Sequence, residues 1–225
     1  MYEFLTGPML WLAFIIFFGG CAARVWLYIK GLNWQLDRVA YGYFNDYAVR
    51  GALKSVFFWL VPFVARSWRK NPFFTLMFFG LHVGIVCIPL FLTAHVVFME
   101  QRLGISLPTL GGTAADALTV AAMVSAAFIV LRRIALPEVR IITTAYDYLL
   151  IAITIAPFVT GFIAAHQPAD YAFWLLAHVI TAEVWLIAVP FTKLSHAVLF
   201  FCSRAQLGVD YGIKRGGMKG RGIAW

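Results

Sequence analysis

FFTLMFFGLHVGIVCIPLFLTAHVVFM, residues 73–99, decides the fold. Its twenty-seven residues include no Asp, Glu, Lys or Arg, and about twenty mainly apolar residues suffice to cross a hydrocarbon core of about 30 Å. Backbone N–H and C=O groups meet no water at that depth, so the stretch can cross only as a helix that satisfies them internally. Similar stretches with few charges run over 4–29, 112–131, 144–165 and 172–202. The expected architecture is an all-α integral membrane bundle of five transmembrane helices over 1–203, followed by a basic tail over 204–225.

Composition excludes the soluble classes. Of 225 residues, 62% are hydrophobic and only 12% charged, far from the balance of an ordinary globular domain. The connections are short, so a soluble catalytic domain is expected on another chain. The net charge of +8 does not point to nucleic acid, because the basic residues punctuate apolar runs instead of forming a solvated face. Cys21, Cys87 and Cys202 are far apart and form no CxxC or CxxCH pattern, which removes the sequence signatures of iron–sulfur ligation and covalent haem. The N-terminus carries Glu3 instead of a basic cluster, and its apolar run leads to Arg24 and Lys30, so the first span is expected to be retained.

Lys and Arg set the expected orientation, since cytoplasmic loops retain them. Arg38, Arg50, Lys54, Arg66, Arg69 and Lys70 fall in the first connection, and Arg132, Arg133 and Arg140 in the third. Arg204, Lys214, Arg215, Lys219 and Arg221 fall in the tail. With five spans these segments share one side and the other carries only Arg102, which puts the N-terminus outside and the C-terminus in the cytoplasm. Within the first connection, 51–65 combines Phe57, Phe58, Trp59 and Phe63 with Lys54 and Arg66. Its length and Pro62 argue against a span, and its composition fits the headgroup boundary; a partner-docking surface is the alternative.

Four of the five histidines lie within the expected spans: His82 and His95 on the second, His178 and His196 on the fifth. His166 sits in an outer loop. Ionisable residues are costly in a membrane and mark bundle interiors or sites. A single such histidine reads as an interhelical hydrogen bond, but two on each of two helices read as ligands. Because the two spans are antiparallel, His82 falls level with His196 toward the cytoplasm, and His95 level with His178 toward the outside. Eighteen residues from His178 to His196 make about five turns, which points both the same way. The thirteen from His82 to His95 make about 3.6 turns, so a bend at Pro89 is expected to bring His95 round, with His166 as the alternative outer ligand. Low-spin haem b takes two axial imidazoles from facing helices, so the pattern proposes two stacked haems.

These features resemble the cytochrome b membrane subunits of the nitrate reductase gamma family, on the string LHVGIV after a Phe-rich helix start and the AH…LSH pair of the last span. Within that family, the short chain, the Phe- and Trp-rich first connection and the basic Gly-rich tail look most like the membrane subunits of the high-molecular-weight cytochrome c (Hmc) redox complex of sulfate-reducing bacteria. The resemblance implies five spans with two haem b groups, His82 and His196 holding the inner iron and His95 and His178 the outer. It also implies a place in the bacterial inner membrane, electron exchange with a menaquinone pool, and a periplasmic multihaem cytochrome c, further membrane subunits and a cytoplasmic iron–sulfur protein as partners.

Asp116, Asp147, Glu183 and Lys193 fall within or at the ends of spans. The first two suit helix N-termini, and Lys193 can snorkel. Glu183 lies deepest and is a candidate to hydrogen-bond a ligand or relay protons. Glu100 and Arg102, just beyond His95, are candidates for the vicinity of a quinone headgroup. The competing function class is a membrane anchor with one haem or none, or a transporter using the histidines as proton relays. No internal repeat of the kind many transporters carry is visible.

Overall fold

The computed structural model describes residues 2–32 and 45–215, with side chains described over 2–32 and 46–210. Arg38 and the end of the basic tail, with Lys219 and Arg221, lie outside those residues, and the side chains of Lys214 and Arg215 are likewise outside. Among the described residues all regular structure is helical and no strand forms. Five helices are long and apolar enough to span a membrane. They are α1 (Tyr2–Gly31), α4 (Pro72–Phe91), α6 (Gly112–Ala135), α8 (Ala145–Ala165) and α9 (Tyr171–Phe191). Between and after them come α2 (Asn45–Leu60), α3 (Arg66–Lys70), α5 (Thr93–Leu103), α7 (Pro137–Arg140) and α10 (His196–Arg215).

Two of the expected spans are shorter than the apolar stretches they came from. The second ends at Phe91 instead of running to 99. Leu92 turns extended (φ −64°, ψ 132°) and a separate helix starts at Thr93. Pro89 lacks an N–H and crowds the preceding turn, but the chain breaks three residues later instead of bending at the proline. The Phe91 carbonyl accepts from Leu110 N at 2.7 Å, so the stretch before α6 returns to pair with the break. Gly104, at φ 68°, caps α5 in the left-handed conformation that favours glycine. The fifth span likewise ends at Phe191 instead of continuing to 202. Thr192 is extended and its hydroxyl accepts from Leu194 N, capping a 3-10 turn over Lys193–Ser195 before α10 starts. His178 and His196 therefore do not share one continuous helix, and the five-turn alignment expected between them does not apply.

The chain divides into two compact units. The first comprises Met1–Gly7 and Phe73–Trp185. Its core is Leu81, Ile88, Ala115, Ala122, Ala126 and Phe158. Lipid tails are as apolar as Leu, so helices associate there through close packing, and small residues permit it. On α4, Gly80 and Gly84 supply that approach: a Cβ at Gly80 would lie 2.7 Å from Ser125 Oγ, and one at Gly84 2.6 Å from Ala122 Cβ. At the start of α8, Thr144 N and Oγ1 both donate to Asp147 Oδ2, at 2.8 and 2.9 Å. This is the favourable N-terminal placement expected for Asp147.

The second unit comprises Pro8–Pro72 and Leu186–Trp225. Here α10 packs along α2, and Gly208 allows the crossing, since a Cβ there would lie 2.6 Å from Ala52 Cα. Trp59 meets Trp68 edge-on at 5.2 Å, and the Arg204 guanidinium lies 4.6 Å over the Trp59 ring. The segment beginning at 204, read from sequence as a tail, is thus helical to Arg215 and packed through its first turns. In the same unit, Gly20 admits Pro190 and Arg24 Nε donates to the Pro190 carbonyl at 2.7 Å.

Candidate functional site

The first unit brings two of the expected ligands together. His95, on the first turn of α5, and His178, on α9, have ring planes within 8° of parallel and centres 5.9 Å apart. Each ring is held through Nδ1. His178 Nδ1 lies 2.9 Å from the Pro157 carbonyl of α8, and His95 Nδ1 lies 3.2 Å from the Ile88 carbonyl of α4. A carbonyl oxygen only accepts, so Nδ1 must carry the proton, and in the neutral imidazole that leaves the lone pair on Nε2. Such an outer hydrogen bond is how proteins fix the tautomer and orientation of a metal-binding imidazole. Gly161 completes the mount: a Cβ there would lie 2.7 Å from His178 Nδ1 and 2.8 Å from Cε1, so the ring sits where only glycine leaves room. One residue away, Thr160 Oγ1 lies 3.1 Å from Thr181 Oγ1 and links α8 to α9.

The separation of the two rings suits two imidazoles on one metal ion. Metal–imidazole bonds of about 2 Å would put the centres of two imidazoles roughly 6 Å apart across one ion, and the observed centres are 5.9 Å apart. Among the described residues no group of three or more His, Cys, Asp or Glu is placed to hold a metal. A bare zinc ion takes three or four protein ligands, whereas haem supplies its own equatorial nitrogens and asks the protein for two axial ligands.

The other histidines are placed as follows. His82, also in the first unit and half-buried, has Nδ1 2.7 Å from the Phe78 carbonyl and its ring stacked on Phe78 at 4.0 Å. His196 belongs to the second unit. Its Nδ1 lies 2.8 Å from the Lys193 carbonyl, and it lines an open groove of about 420 Å³ with Lys193, Ser195, Leu199, Phe200 and Ser203. The same carbonyl argument makes Nδ1 the protonated nitrogen in both. His166, the alternative outer ligand, has Nδ1 on the Phe162 carbonyl at 2.8 Å and Nε2 3.6 Å from Asp116 Oδ2, with about half of each side chain exposed.

Glu183 is 2% exposed, and its Oε1 has no hydrogen-bond partner among the described residues. The role considered for it beside a ligand is filled for His178 Nδ1 by the Pro157 carbonyl. Glu100 and Arg102 are exposed at the end of α5, with Arg102 6.0 Å over the Phe98 ring. Sequence reasoning missed Gly161 and Pro157. Their signal was a proline inside each helix beside the site: both anchoring carbonyls, Ile88 and Pro157, stand next to or at such a proline.

Fold and site together define an all-helical, multi-pass membrane protein that carries a mounted histidine pair. Over 226 aligned residues the chain is 57% identical to a protein of Nitratidesulfovibrio vulgaris (strain Hildenborough) designated simply "Protein", with all of both chains covered, and it belongs to that protein's family. No family model and no solved structure matches the chain.

Proposed function

We propose that the chain is the membrane cytochrome b subunit of a respiratory redox complex, holding one haem b between His95 and His178 and a second between His82 and His196. The observation that carries this reading is the His95–His178 pair: near-parallel rings 5.9 Å apart, each anchored through Nδ1 to a neighbouring helix's carbonyl. When bound, haem supplies a reversible one-electron iron centre whose potential answers to ligation and burial. This chain's residues do the rest. His95 and His178 present Nε2, the carbonyls of Ile88 and Pro157 hold the tautomer, and Gly161 gives the His178 ring its place. The distribution of Lys and Arg supports an outside N-terminus and a cytoplasmic C-terminus.

Resemblance to the nitrate reductase gamma family, and within it to the Hmc membrane subunits, supports the second haem and the inner-membrane location. It also supports exchange with menaquinone, and partners comprising a periplasmic multihaem cytochrome c, other membrane subunits and a cytoplasmic iron–sulfur protein. No bond-making reaction is assigned to the chain itself.

Reduced-minus-oxidised spectra of purified His95→Ala and His178→Ala chains test the pair. Two ligands of one iron act as a unit, so each single substitution is expected to remove the same component and the double substitution to remove no more. Loss of two different components, or of none, overturns the assignment.

A further inference from the structure

The first connection has one helical face that no described element covers. On α2, Val49, Leu53, Phe57 and Leu60 are 59%, 66%, 57% and 46% exposed. At about 100° per residue they fall within an arc of about 80°. The buried residues Ala48, Gly51 and Ser55 lie on the other side of the helix, the side that packs along α10. Arg50 and Lys54, both exposed, form the next strip beyond Phe57. The helix thus has a packed side, an apolar side and a cationic edge.

The turn after α2 adds an independent sign. Phe63 takes φ 63°, a conformation that a bulky residue rarely adopts, and its side chain remains 38% exposed. Glycine would occupy this position without strain, so an aromatic here is being held outward against its backbone preference. On α3, Trp68 is buried against Trp59 while Arg66, Arg69 and Lys70 are exposed. Lys70 stands two residues before the span α4 begins at Pro72. Asp46 is the one acid in 45–72, against five cations.

We propose that this face of α2, with Phe63, lies in the membrane surface and binds anionic phospholipid, the apolar stripe entering the acyl boundary while Arg50, Lys54, Arg66, Arg69 and Lys70 meet the phosphates. Three observations favour this occupant. The segment is tethered to spans, so its end is held at headgroup level. An apolar stripe edged with cations is what an interfacial helix needs, with apolar area for depth and Lys/Arg for anionic headgroups. A second copy would bring the same five cations against each other, which opposes self-association through this face.

Photo-crosslinking tests the proposal. The full chain, carrying p-benzoylphenylalanine at Leu53, is reconstituted in nanodiscs containing equal amounts of phosphatidylcholine and phosphatidylglycerol, and the adducts are weighed. The control position is Ile15 on α1, which is 67% exposed on a span. Leu53 is expected to capture phosphatidylglycerol over phosphatidylcholine by about threefold or more, Ile15 to show no preference, and R50Q/K54Q to abolish the preference at Leu53. Circular dichroism and a monodisperse elution profile establish that each variant is folded, since every substituted side chain is exposed. Equal capture of the two lipids at Leu53 and Ile15 overturns the proposal. So does an adduct of twice the chain's mass, or one with a different protein.

Discussion

A Gly161→Ala chain is expected to keep its helices and lose the haem that we propose His95 and His178 hold. The added Cβ would lie 2.7 Å from His178 Nδ1 and 2.8 Å from Cε1, closer than carbon and nitrogen can approach without displacement. The ring must therefore swing, and its 2.9 Å bond to the Pro157 carbonyl goes with it. Nδ1 loses the partner that fixed the tautomer, and the ring leaves its near-parallel alignment with His95. Removing such an outer partner typically costs ten- to a hundred-fold in metal affinity, and here the ligand itself is displaced as well. Alanine is the better helix former by about 1 kcal/mol, so loss of haem cannot be ascribed to a weakened α8. With two haems bound, the reduced-minus-oxidised amplitude should fall by about half while far-ultraviolet circular dichroism is unchanged. A full haem complement in this variant would remove Gly161 and the His178 mount from the account.

The second large effect concerns the other two histidines. His196→Ala and His82→Ala are each expected to remove the remaining half of the haem signal and spare the component assigned to His95 and His178. His82 is held by the Phe78 carbonyl and ring, and His196 by the Lys193 carbonyl, so both carry the Nδ1 proton and keep the Nε2 lone pair for a ligand. Combining His196→Ala with His178→Ala should leave a folded chain with no b-type spectrum. If His196→Ala purifies with the full complement, that residue ligates no iron.

The fold was legible because membrane solvation leaves few options. Five apolar stretches were read from the sequence and five helices of sufficient length formed, with starts agreeing closely. What the apolar runs concealed were the breaks. Leu92 and Thr192 interrupt stretches that stay mainly apolar on both sides, so the few polar residues after them, Thr93 and His95 in one case and Lys193, Ser195 and His196 in the other, did not mark an end. The same breaks explain why helical phase misled. His82 and His95 stand on separate helices, as do His178 and His196, so counting turns between them carried no directional information. The pair that the structure brings together is His95 with His178, reached through the interruption at Leu92 and not through a bend at Pro89. The ligands themselves were visible as rare residue types in costly places. Their supports were harder to read, because Gly161 and the Pro157 carbonyl act through spatial proximity and a main-chain atom, and the in-helix prolines were their one residue-type signal.

Counting haem against protein decides the central claim most directly. The wild-type chain, purified in mild detergent from cells supplied with haem, should carry two b-type haems per polypeptide by pyridine haemochromogen assay against quantitative amino-acid analysis, with a reduced-minus-oxidised spectrum characteristic of bis-histidine ligation. A folded, monodisperse preparation that binds no haem would contradict the account.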